Sequence, residues 1–326
     1  MNTTLVVGAT GQLGLATIHE LLARGRRVRA LIRNPDSAHR FNSIGVETVL
    51  GDLTLRDSLD SACRDISSIV ATANSAVPSR KTDTFSSVEG NGYRNLIAAA
   101  VQAKVSRFVY TSVRFPAAAP LSLFFKLKQQ NAKLIKESGM DHVIFEADIF
   151  MDVSFAMMGS RIPLRNASNP TILRPFKFAR NFFRRIENSI ETDRVARIPG
   201  DGTTRHAFIC VADVARFHAA AAIGGPSGIF PLAGPEALTY VDIVRIYEKL
   251  LGYNLKISKT PKLVFRILST VLQPFNPAGA NLMWLNYLSS TENTLPALAT
   301  SKAFSIELTT AESFLREKVL AITAQS

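Results

Sequence analysis

Cysteine, acidic residues and long apolar runs are all scarce in this chain of 326 residues. The two cysteines, Cys63 and Cys210, stand far apart. So few thiols in so long a chain exclude a disulfide scaffold, and both read as small buried hydrophobes in the cytoplasm or another reducing compartment. No run of about 18 apolar residues occurs, so no transmembrane helix is expected. The longest apolar region, 263–288, is broken by Arg266, Gln273, Pro274, Asn276, Pro277 and Asn281. The first apolar run, Leu5-Val6-Val7, has no basic region before it and leads straight into glycine, so no secretory leader is expected either. Histidines at 19, 39, 142, 206 and 218 fall at no metal-ligand spacing. Gly-x-Ser-x-Gly is absent and no Cys/His pairing is suggested, which leaves a nucleophilic hydrolase without support.

The shortage of acids, 26 against 38 Lys and Arg, sets a net charge of +12. Half of that excess lies in 161–205, with ten basic residues against four acidic ones. A basic balance suits acidic ligands, anionic membrane surfaces or nucleic acid; the plainer alternative is a solvated basic face.

What is present is an alternation. Short β-type runs at 4–7, 27–32, 46–50, 66–73, 108–111 and 143–145 are separated by helix-type stretches, among them 13–23 and 85–103. Strands and helices of these lengths imply right-handed crossovers and a doubly wound parallel α/β sheet of the Rossmann type. Beyond this the pattern weakens, and 159–205 is rich in Arg, Asn, Pro and Phe without a period. Order resumes with a strand at 207–211, Asp213 placed to cap a helix at 214–222, a strand at 228–233, and helices at 239–251 and 309–319. The expected organisation is a dinucleotide-binding domain over 1–155 and a smaller substrate-binding or cap region over 156–326 that returns strands to the sheet around 207–233.

The sharpest motif is Gly8-Ala9-Thr10-Gly11-Gln12-Leu13-Gly14, between a strand and a helix. Gly8 permits the tight turn, Gly11 lets the backbone approach a pyrophosphate, and Gly14 lets the helix pack closely on the sheet. The helix start then offers N–H groups and positive dipole to phosphate. The end of the second strand selects the cofactor. NAD would call for an acid there, whereas the chain has Arg33, whose guanidinium suits a 2′-phosphate. NADP(H) is therefore expected, with NAD(H) left open and Arg40 as a possible assistant. Asp52, followed by Leu53, is placed either to contact the adenine amino group or to form an Asx turn.

These pieces, with Gly51-Asp52-Leu53, 107–112, 138–141, Phe150-Met151-Asp152, 208–215 and 233–237, resemble the NmrA-like family of atypical short-chain dehydrogenases/reductases over nearly the whole chain. The resemblance implies a Rossmann domain with a small C-terminal substrate region and NADP(H) as cofactor. Reductases of the wider superfamily use a Tyr-x-x-x-Lys pair and a nearby serine. Lys128 and Ser112 match the lysine and serine, but the tyrosine position is Phe124, which cannot donate a proton. Lys126, with Ser122 four residues before it, is the rival assignment; for both lysines the alternative is a solvated helix face. Where relatives carry Arg-Pro, this chain has Glu146-Ala147; Glu146 reads either as a proton donor if buried or, by preference, as the partner of a nearby Arg.

Two weaker features complete the reading. His206 and Asp213 read as structural. The segment 174–185 interleaves bases with phenylalanines and has three readings, ranked as a cap over an apolar substrate pocket, peripheral membrane contact, and nucleic-acid binding last. The functions expected are an NADPH-dependent oxidoreductase for a small or medium apolar carbonyl, quinone or conjugated substrate, or a non-catalytic NADP(H)-binding sensor or assembly protein.

Overall fold

A computed structural model describes residues 2–114, 122–291 and 293–323, with side chains to 320. The chain divides into two compact units: Met1–Ala147 with Ala212–Leu232 and Ala299–Ile306, and Asp148–Val211 with Ala233–Leu298 and Glu307–Ser326.

The first unit is built on six strands: β1 (Thr3–Val7), β2 (Arg27–Ile32), β3 (Glu47–Leu50), β4 (Ser68–Ala71), β5 (Arg107–Val113) and β6 (Asp141–Ala147). With the edge strand Gly228–Leu232 they form one parallel sheet in the order β3-β2-β1-β4-β5-β6-edge. All five residues of β1 are buried, which is why its apolar residues Leu5, Val6 and Val7 follow one another rather than alternate with polar ones. Helix α1 (Gln12–Ala23) follows β1, and β4 leads through Phe85–Gly92 into the helix Tyr93–Gln102. At the start of β5 the buried Arg107 donates to the carbonyls of Ala221, Gly224, Gly225 and Pro226, closing the C-terminal end of the helix Val211–Ile223.

The sequence expectation for 207–233 needs correction. Only Gly228–Leu232 joins the sheet. The expected strand at 207–211 does not form: Arg205–His206 pairs with Leu238–Thr239 in a separate ribbon, Ile209 makes one isolated bridge to Phe150, and the helix begins at Val211. Asp213 therefore lies inside the first helical turn, paired with Arg216, and Asp152 accepts from the Val211 N–H instead. The second unit also holds a parallel pair, Val195–Pro199 with Lys256–Thr260, that no sequence period announced. Its core gathers Met151, Phe155, Phe208, Ile243, Tyr247 and Phe314.

Candidate active site

The strand order reverses between β1 and β4, and open α/β sheets bind ligands outside the carboxyl ends of strands at such a point. Here the turn after β1 is tight enough to require glycine. Gly8 has φ +89°, and a Cβ on it would stand 2.7 Å from the Ala73 nitrogen and the Thr72 hydroxyl. A Cβ on Gly14 would run into the Gly8 carbonyl oxygen. The Gly11 N–H donates to that same carbonyl at 2.9 Å, and Gly11 caps α1 without any side chain. Around this turn Thr10 is exposed, Gln12 is buried and Leu13 is half-buried. The result is a backbone cradle at a helix N-terminus, suited in shape and dipole to a diphosphate.

Arg33 stands at the end of β2 and is exposed, but its guanidinium has an internal partner. It forks onto Asp83, Nη1 to Oδ1 at 2.7 Å and Nη2 to Oδ2 at 3.2 Å. Backbone N–H groups of Ser79 and Arg80 also donate to Asp83 Oδ2, at 3.3 and 3.0 Å. The Asx turn is what forms at Asp52, whose Oδ1 accepts from the Thr54 N–H and hydroxyl, both at 2.9 Å. Its Oδ2 lies 3.7 Å from Arg80 Nη1 and 4.0 Å from Arg33 Nη1. Leu53 is buried and its carbonyl accepts from Asn95; Arg40 is exposed on the short helix Ala38–Asn42.

The two candidate lysines separate cleanly. On the helix Leu123–Glu137, Phe124, Lys128, Asn131 and Ile135 recur every three or four residues and form its buried stripe, while Lys126 faces solvent. Lys128 is 3% exposed, and its Nζ lies 3.3 Å from Oε2 of Glu89, which is fully buried. The ammonium also donates to the Thr111 carbonyl at 3.1 Å and sits against the rings of Tyr110, Tyr93 and Phe124 at 4.8, 5.5 and 5.6 Å. Ser112, on β5, is buried, and its hydroxyl has no hydrogen-bond partner among the described residues.

Glu89 is placed by a wide turn. Phe85–Gly92 is π-helical, capped by reciprocal bonds between Thr84 and Ser87, and the Tyr93 N–H reaches back to the Val88 carbonyl. Such one-turn departures from α geometry recur at functional sites. Glu89 Oε1 accepts from the Ser75 N–H at 3.0 Å, and the Glu89 carbonyl accepts from Asn131 at 2.8 Å. Residues 72–75 thereby connect the glycine turn to the lysine: Thr72 and Ala73 face Gly8, the Ala73 carbonyl accepts from the Tyr93 hydroxyl at 2.6 Å, and Ser75 holds Glu89.

Neither nearby phenol replaces the missing tyrosine. Burial, with the Glu89 charge adding to it, holds the Tyr93 and Tyr110 hydroxyls well above the ordinary phenol range, so both stay protonated. Glu146, opposite Ser112 across the β5–β6 pair, is half-buried; burial raises its carboxyl and the Arg114 charge opposes that rise. His218, by contrast, is a core group. Burial lowers it to about 3. The Thr17 hydroxyl donates to the Leu13 carbonyl, so His218 Nδ1 must donate to Thr17 while Nε2 accepts from Thr111.

Sequence reasoning missed Asp83 and Glu89. The second left a trace: Glu89 is the only acid between 84 and 136, in a stretch of otherwise apolar helical period. In the second unit, the segment 174–185 contains the helix Lys177–Arg184. Ala179 and Phe183 are buried and Phe183 packs with Ala156, Ile172 and Ile186, whereas Phe182, Arg184 and Arg185 are exposed. His206 is buried against Phe208 and Tyr240, with Nε2 bonded to the Ser289 carbonyl at 2.7 Å. No cluster of metal-ligating side chains occurs among the described residues.

Comparison with known proteins fits this geometry. The model of the NmrA-like family matches residues 1–315. The photosystem II assembly factor Ycf39 of Synechocystis is 25% identical over 327 residues, covering 96% of this chain and 89% of that protein. Among solved structures, an NADPH-dependent quinone oxidoreductase from Escherichia coli complexed with NADPH superposes with a TM-score of 0.69 at 20% identity, over 98% of this chain and 99% of its own. The Citrobacter triphenylmethane reductase complexed with NADP(H) gives 0.72 at 16% identity, over 98% of this chain and 100% of its own. At these identities the structural likenesses speak to the fold.

Proposed function

Since this chain belongs to the NmrA-like family, we propose that it binds NADP(H) and acts as an NADPH-dependent reductase of a small or medium apolar carbonyl, quinone or conjugated substrate. The observation that carries this reading is the continuous path from the glycine cradle through 72–75 to a buried, fixed ammonium at Lys128. The residues fit the cofactor: Gly8 and Gly14 stand where a Cβ would strike the walls of the turn, Gly11 caps the helix with backbone alone, and the Ser112 hydroxyl is buried with no partner among the described residues. Gly8, Thr10, Gly11, Gln12, Leu13 and Gly14 would hold the diphosphate, and Arg33, with Asp52 and Leu53 beside it, the adenosine end. When bound, NADPH supplies a hydride. Ser112 and Lys128 would orient the nicotinamide ribose and the substrate oxygen, and the Lys128 charge would favour negative charge developing there. With phenylalanine at 124, the proton comes from solvent or from Glu146, the carboxyl that burial raises. Neighbours of this fold named as quinone and dye reductases support the substrate class.

A second reading is favoured by Phe124 and by the neutralising Glu89: NADP(H) is bound without turnover, as a sensor or assembly protein. The assembly-factor relative supports it. One series of measurements tests both. NADPH and NADH are titrated by fluorescence, then NADPH oxidation is followed across quinones, enones and aldehydes with the wild type and Lys128→Met. Oxidation that Lys128→Met abolishes supports the reductase; tight NADPH binding with no oxidation on any substrate supports the second reading. No calorimetric response to NADPH or NADP⁺ at millimolar concentration would remove both.

A further inference from the structure

We infer that the helix Lys262–Leu272 docks this protein, lying flat, onto an anionic lipid surface. The helix has three stripes. Phe265, Ser269 and Leu272 are half-buried or buried and form its inward stripe. Lys262, Arg266, Thr270 and Gln273 form a polar stripe. The third stripe is apolar and lies in solvent: Leu263 is 59% exposed, Ile267 52% and Val271 58%, with Val264 and Leu268 beside them and Phe275 at 86% just past the helix end. At 3.6 residues per turn these side chains cover a continuous arc of about 140°. Contiguous apolar surface of this kind, rimmed by polar residues, marks an interaction site.

Charge decides what fits it. From 250 to 291 there is no Asp or Glu, while Lys256, Lys259, Lys262 and Arg266 all occur. Lys262 and Arg266 border the apolar arc on the helix itself. An amphipathic helix with aliphatic and aromatic residues on one face and cations beside it suits the boundary between acyl chains and anionic headgroups, where both are satisfied at one depth. The following helix, Pro277–Leu288, packs against the first and is capped by Asn276, whose side chain accepts from the Gly279 N–H at 3.0 Å. It backs the docking helix with a second, half-buried one. Neither is a membrane span: no helix among the described residues is long and apolar enough to cross a bilayer.

The test is co-sedimentation of the full chain with vesicles of phosphatidylcholine alone and of phosphatidylcholine with phosphatidylglycerol in a two-to-one ratio. The expected result is binding to the mixed vesicles, weak or no binding to the neutral ones, and loss of binding as salt rises. Ile267→Glu with Val271→Glu should abolish it. Lys262→Glu with Arg266→Glu should weaken it about tenfold or more. All four side chains are solvent-exposed, so both variants should keep the wild-type circular dichroism and Tm. Three results would overturn the inference: wild type that stays in the supernatant with both vesicles; Ile267→Glu/Val271→Glu protein that binds as wild type does; or a dimer by light scattering that the same variant converts to monomer, which would assign the stripe to a second copy of the chain.

Discussion

Removing the Glu89 carboxylate would leave the buried Lys128 ammonium without its counter-charge, and removing Lys128 would do the same to the carboxylate. Each of Glu89→Gln and Lys128→Met should therefore lower stability by about 3–5 kcal/mol, whereas the double variant should lose much less than the sum. Strict additivity in denaturant unfolding would show that the two groups do not act as a pair. At the other end of the site, the fork between Arg33 and Asp83 occupies the donors a 2′-phosphate would need. Arg33→Ala should weaken NADPH relative to NADH by about tenfold or more, since charge-assisted bidentate bonds are among the strong ones. Asp83→Asn, which frees the fork and removes a like charge, should tighten NADPH several-fold and leave NADH unchanged; weaker NADPH binding in that variant would show that Asp83 positions Arg33 rather than competing for it.

His218 makes a pH prediction with a defined sign. Folded, it titrates near 3 against 6.5 for the free side chain. Between these values the unfolded chain takes up a proton that the folded one refuses. The stability it contributes is present above about pH 6.5 and is lost as pH falls toward 3, with a slope of at most about 1.4 kcal/mol per pH unit. His218→Gln should flatten that part of the acid-stability curve, and an unchanged curve would place the titration elsewhere. Cys63 needs no such test, because burial raises its thiol to about 12 and leaves it inert across the neutral range.

Among the elements, the junction of β1 and α1 is the least tolerant. A methyl group on Gly14 meets a backbone oxygen, which cannot rotate away. Gly14→Ala should lower Tm and stability by about 1–3 kcal/mol through overpacking, and weaken NADPH because the cradle must open to admit it. Wild-type Tm with wild-type affinity would show that the turn relaxes freely. The π-helical stretch Phe85–Gly92 carries a different lesson. Its apolar spacing announces a helix, and a helix is there, but the wide turn that sets Glu89 against Lys128 depends on what packs around it. Gly92 shows this: a Cβ there would stand 2.9 Å from Leu53 and 3.0 Å from the Ser87 carbonyl.

For the molecule as a whole, a ligand bound only by the folded state stabilises it by mass action. NADPH at about 100 times its Kd should add roughly 2.7 kcal/mol and raise Tm in proportion to the logarithm of concentration. NADH at the same concentration should do less, and Arg33→Ala should narrow the gap; equal shifts from both cofactors in the wild type would remove Arg33 as the selector.

The sequence alone determined the parallel α/β class, the strand 27–32 to its ends and the place of the glycine turn, because those depend on local period, on burial of whole strands and on backbone freedom at single residues. It also offered two neighbouring lysines as candidates. Only the tertiary structure showed that Lys128 is buried and Lys126 exposed, since which stripe of a helix faces inward depends on what lies opposite. It alone brought Glu89 to Lys128 and Asp83 to Arg33, partners 39 and 50 residues apart. It also paired 195–199 with 256–260 and denied 207–211 its place as a strand. Contacts between distant segments are set by the packing of the whole chain, and no short-range period encodes them.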